Sequence, residues 1–301
     1  MASSGLLNQR APIAQSQTAR RQLAKVLRPV SAHTVIGVGG FLMMVPFLWL
    51  ISASLKEGPW AIFVIPPEII PKTIRWENYV DVFVNFPFPR FVRNTLIITI
   101  PATLGGVLTS ALAAYGFARL RIPGREIVFT MILATIMLPY AVTLIPVYIM
   151  FKEIGWLGTF LPLIVPYWFG GSAFSIFLLR QFFRTIPNEL EDAAIIDGAG
   201  YLTIFQRIIV PLSIPALVVV TIFNFLSHWN DYLGPLIYLN HYELWTIAIG
   251  IVAVKRAVYG QMDNAHITMA MSMLMILPIV VIFFVAQRAF IRGIVLTGMK
   301  G

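Results

Sequence analysis

The sequence predicts an all-α polytopic membrane protein with six transmembrane helices and one short polar helix set between the fourth and the fifth. Three observations carry that expectation. Of 301 residues, 58% are hydrophobic and 12% charged, with a mean hydropathy of +0.81; soluble domains carry about 25% charged residues. Six apolar runs each reach about twenty residues, the length that crosses a hydrocarbon core. Basic residues gather before the first run, between the second and third, and after the last, the pattern of segments held on the cytoplasmic side.

Residues 1–33 contain Arg10, Arg20, Arg21, Lys25 and Arg28 and no acid. A nucleic-acid arm is one reading of such a stretch, but a basic segment just before a span marks the cytoplasmic side. The apolar run that follows is longer than a signal-peptide core, and no small-residue cleavage site follows it. The membrane domain is expected over 34–292, with spans near 34–55, 94–118, 127–151, 159–183, 212–236 and 266–288, and a tail at 293–301. An even number of spans returns the tail, with Arg292 and Lys300, to the starting side. Arg119, Arg121 and Arg125 between spans two and three agree with that side.

Between spans one and two, residues 56–93 carry prolines at 59, 66, 67, 71, 87 and 89 with interleaved aromatics. Proline blocks a continuous helix there, and Trp and Tyr suit the membrane interface. Pro139 and Pro146 allow kinks in span three, and Gly170 and Gly171 break span four. Glycine in a span permits either close packing or a bend lining a cavity. Arg180 and Arg184 near its end are expected to reach headgroups or to brace the neighbouring acidic helix.

Residues 188–211 read differently from everything around them. Asn188 followed by Glu191 is a helix-start signature, with Glu189, Glu191 and Asp192 in the first turn, where the dipole favours acids. Gly198 and Gly200 can close the helix. About nine helical residues are too few to be stable alone in water, so this helix must pack on something, and it reads as a knob offered to a soluble partner.

The chain has no cysteine, its four histidines (33, 228, 241, 266) show no metal-ligand spacing, and no phosphate-binding loop of the G-x-x-x-x-G-K-[ST] kind occurs. No nucleophile, base and orienting group converge at recognisable spacing, so a transport subunit is expected rather than an enzyme. ATP, if used, is hydrolysed elsewhere. Polar groups inside spans are costly and mark pathways. The cluster is in span five: Asn224, His228 and Asp231 at helical spacing, with Trp229 and Asn230 between them. Hydroxyls of a sugar want hydrogen bonds and its C–H faces pack on rings, so these residues, with Tyr167, Gly170 and Gly171 of span four, are candidates for a substrate pathway. The bland alternative is helix–helix glue, or the outer end of the span with Asp231 in water.

The order Asp192-Ala193-Ala194, Gly198, Ile208 and Pro211 resembles the EAA loop of bacterial ABC importer permeases, here 187–211. Asp192 stands where glutamate is usual, and Val210 where leucine is usual. The wider run through Glu189, Glu191 and Asp197, with Trp229-Asn230-Asp231 and Pro235-Leu236, is similar to carbohydrate permeases of the maltose-transporter type, in the binding-protein-dependent transport inner-membrane component family. Pro66-Pro67-Glu68, Asn78-Tyr79 and Phe86-Pro87-Phe88 resemble the first outer loop of sugar permeases. The resemblance implies a type I importer fold in which 189–197 is a coupling helix seated in a cytoplasmic ATPase dimer. It also implies a second permease as heterodimer partner and an extracytoplasmic solute-binding protein, which Tyr259, Gly260, Gln261 and Asp263 would contact. ATP and magnesium would sit on the ATPase, and this chain would bind no cofactor. The cargo implied is a sugar or oligosaccharide. A glycerol-phosphate or amino-acid permease, or an ion-coupled secondary transporter, are the other readings the residues leave open.

Overall fold

The computed structural model describes residues 11–58, 60–255 and 264–298. Among them every regular element is helical. The long ones are α1 (Ala11–Ser54), α3 (Phe88–Arg119) and α15 (Ala265–Gly298), with α2 (Glu77–Val84) in the first connection. Between α3 and α15 the chain is cut short repeatedly. In order come α4 (Arg125–Thr135), α5 (Tyr140–Glu153), α6 (Leu161–Ile164), α7 (Tyr167–Gly170), α8 (Ala173–Phe183), α9 (Glu189–Ile196), α10 (Tyr201–Ile204), α11 (Val210–Leu212), α12 (Ile214–Trp229), α13 (Leu233–Tyr238) and α14 (Ile247–Lys255). Four helical stretches of the described residues are long and apolar enough to cross a membrane, and six if each of two bent pairs counts as one span.

The bends have identifiable causes. The run expected as a single third span, 127–151, is α4 and α5 at 97° to each other; Pro139, extended at ψ 134°, cannot continue α4 and opens α5 instead. The fourth run breaks at Val165-Pro166 and at Gly171. Gly171 has φ +55°, and a Cβ there would strike the Ser110 hydroxyl and meet Thr109 Oγ1 at 3.1 Å. Bend and close packing on α3 are therefore the same feature. The fifth run is α12, at 83° to the segment 201–212 before it. That segment contains a π-helical turn, Phe205–Ile209, and then Pro211 at the start of α11.

Helix α3 is the spine. At about 1.5 Å per residue its 32 residues span roughly 48 Å, and each of the three large apolar clusters includes part of it. Towards the Arg119 end, Ala111, Ala114 and Tyr115 pack with Leu179 and Phe183 of α8 and with Phe205, Ile209 and Val220. Towards the Phe88 end, Phe88 and Phe91 pack with Val82, Trp229, Ile247 and Met271. Ile98, midway, joins Phe151, Leu163 and Tyr238. Outward apolar side chains such as Met43 (83% exposed) and Val285 (77%) make the lipid-facing surface that a membrane protein needs and a soluble one avoids.

The first connection is tied down at the end of α1. Asn78, fully buried, donates to the carbonyls of Ser54 and Lys56, each at 2.9 Å, and the Tyr79 hydroxyl meets Ser54 Oγ at 2.7 Å. The Asn78-Tyr79 pair thus satisfies carbonyls left orphaned where α1 stops. Asn94 does the same for the segment before α14, donating to Glu243 O at 2.7 Å and Trp245 O at 3.1 Å.

Candidate functional site

Two arrangements stand out, one at the Arg119 end of α3 and one midway along the bundle. The first is built on α9, the polar helix read from the sequence. It runs for eight residues, Glu189–Ile196. Its C-terminus is closed by a Schellman motif: Gly198 N–H donates to Ile195 O at 2.9 Å and Ala199 N–H to Ala194 O at 2.8 Å. Gly198 holds φ +82°, the left-handed conformation this closure needs.

The N-terminus departs from the expected capping box. The Asn188 side chain makes no bond to the first turn of α9; its Oδ1 accepts from Arg119 Nη1 instead. Arg119 does more than that. Its Nη2 donates to Phe183 O at 2.6 Å, the last carbonyl of α8, and to Ile186 O at 2.5 Å in the turn that follows. Its Nε lies 2.9 Å from Glu191 Oε1, both side chains nearly buried; the atoms are close but not aligned for a hydrogen bond, so this is an ion pair. One guanidinium thus joins α3, the end of α8 and α9. Burial is the largest influence on the Glu191 carboxyl and raises its pKa; Arg119 opposes that and Asp192 adds to it.

With Glu191 turned inward, Glu189, Leu190, Asp192, Ala193, Ile195, Ile196, Asp197 and Gly198 are exposed and Ala194 is half-buried. Ile196 is 85% exposed, and Tyr201 and Leu202 beside it are above 60%. The result is an apolar patch set among acids. Ile208 lies on the π-helical turn, half-buried against the cluster beneath, and Pro211 is exposed.

Arg180 neither reaches outward nor braces α9, as the sequence had led us to expect. It is 4% exposed, donates from Nη2 to both Glu126 oxygens at 2.6 and 2.8 Å and from Nε to Phe117 O at 3.1 Å, and lies 4.0 Å over the Phe129 ring. It pins α8 to α4 and α3. Arg184 is exposed.

The second arrangement is a cavity of about 470 Å³. Tyr140 and Phe151 come from α5, Leu163 and Tyr167 from α6 and α7, Ser227 and His228 from the end of α12, and Asp231, Gly234 and Tyr238 from the turn into α13. Of the pathway residues expected from the sequence, Tyr167, His228 and Asp231 meet here, and the others lie elsewhere. Asn224 donates to Ser175 Oγ at 3.0 Å and Val220 O at 2.8 Å, joining α12 to α8. Trp229 is 2% exposed, stacked on Phe225 and donating to Met275 O at 3.0 Å. Asn230 is exposed and bonds back to Leu226 O. Gly171 packs on α3, and Gly170 has open space around it. Asp231 is not on the helical face of Asn224 and His228, because α12 ends at Trp229; its Oδ1 instead accepts Gly234 N–H at 3.1 Å and caps the next turn. The His228 ring packs edge-on against Tyr167, centroids 4.3 Å apart. Tyr259, Gly260, Gln261 and Asp263 lie outside the described residues.

Sequence reasoning passed over Arg119 and Glu126, seen only as loop charges, and Tyr140 and Tyr238, which reach the cavity from separate elements. Nothing in their local sequence distinguishes them.

Comparison with known proteins gives the same architecture a family. A profile described as "Binding-protein-dependent transport system inner membrane component" matches residues 106–296. The chain is 32% identical over 275 residues to the osmoprotective compounds uptake permease protein GgtD of Synechocystis, covering 89% of this chain and 91% of that one. It is 33% identical over 273 residues to the sn-glycerol-3-phosphate transport system permease protein UgpE of Escherichia coli K12, covering 88% and 95%. In fold it is similar to a chain of a bacterial ABC transporter involved in the import of the acidic polysaccharide alginate, with TM-score 0.75, 23% identity, and coverage of 89% and 97%. The chain belongs to the binding-protein-dependent transport system inner membrane component family, and is a membrane-spanning permease subunit of an ABC importer, not itself an enzyme.

Proposed function

We propose that this chain is one of two permeases in a heterodimer that carries a sugar or related polyol inward across the cytoplasmic membrane. Both termini and the α9 end of the bundle face the cytoplasm, where α9 seats in an ATPase dimer that holds the ATP and magnesium. A binding protein delivers solute to the opposite face. The chain itself binds no cofactor.

The observation that carries this reading is the construction of α9. A helix of eight residues has too few internal bonds to persist alone, yet it is closed by a Schellman turn and fixed to the spine through Arg119. Its outward side offers Leu190, Ile195 and Ile196 among Glu189, Asp192 and Asp197. That surface suits a partner cleft with an apolar floor and basic rim. Closure of the ATPase would push α9, and the clasp would carry the displacement into α3 and α8 together.

The test is co-purification of this chain, expressed with the products of its neighbouring genes, through detergent. The expected result is a complex holding an ATPase and a second permease, lost when Asp192 and Gly198 are both replaced while membrane insertion is retained. A monodisperse chain with no ATPase would sink the reading.

A further inference from the structure

We propose that the cavity between α5, α7 and α13 selects an uncharged, polyhydroxylated ligand, a sugar or polyol, and rejects solutes bearing phosphate or carboxylate. The proposal rests on the reading of this chain as an importer permease and goes beyond it by fixing the charge of the cargo.

The lining supplies hydrogen-bonding groups of both kinds and charge of one kind only. Tyr140, Tyr167, Tyr238 and Ser227 each bring a hydroxyl that can donate or accept. When ionised, Asp231 can only accept; backbone N–H groups of Gly234, at 3.1 Å from Oδ1, and of Leu233 bond to its carboxylate, which has about four acceptor positions in all. His228 is 8% exposed with its Nε2 buried and unpartnered. An unpartnered polar atom in such a place is costly, and it asks for a ligand or a water. Among the described residues that line the cavity there is no Lys or Arg.

These facts decide the ligand's chemistry. A group approaching Asp231 must bring a donor, which a hydroxyl does and a phosphate or carboxylate oxygen does not. An anion would meet a carboxylate at short range with no cation from this chain to offset it, in surroundings where water screens poorly. The rest of the wall is mainly Val147, Phe151, Pro162, Leu163, Pro166 and Leu233, apolar faces and rings suited to the C–H surface of a sugar. The volume lies within the range of sites that enclose small ligands. Sites that bind by hydroxyl hydrogen bonds discriminate strongly against ligands that leave their polar groups unpaired. The glycerol 3-phosphate permease and the importer of the acidic polysaccharide alginate are thus expected to differ from this chain in what they carry.

The experiment uses the whole complex, both permeases, ATPase and binding protein, in proteoliposomes. The probes are glycerol, trehalose, maltose and maltotriose as uncharged solutes, glycerol 3-phosphate and digalacturonate as anions, and choline as a cation. The expected result is ATP-dependent uptake of at least one uncharged probe and none of the anions. Uptake of an anion or of choline, or of no uncharged probe, overturns the proposal. Rising ATP hydrolysis with binding protein present would leave the permease reading standing in each of those cases, whereas failure of the ATPase to assemble on the permeases would sink that reading itself.

Asp231→Asn separates ligand recognition from folding, because the amide oxygen still accepts Gly234 N–H and keeps the turn. It is expected to raise KM for the uncharged substrate at least fivefold while the assembled complex keeps its melting temperature. An unchanged KM would place the ligand elsewhere.

Discussion

Arg119 and Glu191 stand 2.9 Å apart, joining the end of the spine helix α3 to the side of α9. The same guanidinium holds the last carbonyl of α8, one in the turn that follows and the Asn188 amide oxygen. A lysine would keep the charge facing Glu191, but its single ammonium cannot reach three differently placed acceptors in one plane. Arg119→Lys is therefore expected to loosen α9 by about 2–4 kcal/mol, the cost of two or so charge-assisted bonds at a nearly buried site. The readout is ATP hydrolysed per solute imported in proteoliposomes, which should rise several-fold while the complex still assembles. An unchanged ratio would mean that displacement of α9 reaches the spans without this clasp.

Glu191 is expected to give the clasp a pH dependence whose sign follows from its burial. Burial raises its pKa from the ordinary 4.5, with Arg119 opposing, so the folded state holds a proton that the unfolded state releases. Its contribution to stability is therefore present at low pH and falls as pH rises from the ordinary value through the raised one. Relative to Glu191→Gln, which does not titrate, the wild-type chain should lose melting temperature as pH rises across that window and then level off. A gap that moves in wild type's favour with rising pH would show that Arg119 outweighs burial.

How far this site was readable from sequence depends on the range of the contacts that make it. The existence of α9, its acidic first turn and the closing role of Gly198 are local properties, and all three are seen. Asn188 was legible as a helix start but not in its bonding, because its partner Arg119 lies 69 residues earlier. Pro139 foretold a kink and Gly170-Gly171 a break, but no local rule sets an angle of 97°. The polar cluster at 224–231 was visible as a cluster and misleading as a face. Helix α12 stops at Trp229, so packing sends Asn224 into a helix contact, Trp229 into the core, and Ser227, His228 and Asp231 to the cavity.

Gly198 can be tested by conformation alone, since an added Cβ would meet nothing within 4 Å. Any cost of substitution is then the cost of φ +82°. Gly198→Ala should destabilise the closing turn by about 1–2 kcal/mol, and Gly198→Asn by less, because asparagine tolerates the left-handed region better. Coupled ATP hydrolysis in the assembled complex should follow the order Gly, Asn, Ala. Equal loss in both variants would point to a direct contact between Gly198 and a partner surface.

The Arg180–Glu126 pair is expected to break asymmetrically. Arg180 is buried while the Glu126 side chain is 62% exposed, so most of the desolvation falls on the guanidinium. Glu126→Gln leaves the buried cation with no counter-charge and at most one amide oxygen in place of two carboxylate oxygens, beside Phe117 O and the Phe129 ring, and should cost about 1–2 kcal/mol after allowing for water at the glutamate. Arg180→Met removes the charge that needs compensation and fills a similar volume with apolar atoms. The double variant should therefore melt higher than Glu126→Gln alone, a positive coupling that thermal unfolding in detergent would measure directly. Additive losses would instead mean that each side chain supports the α4–α8 contact separately, and that the ion pair itself contributes little.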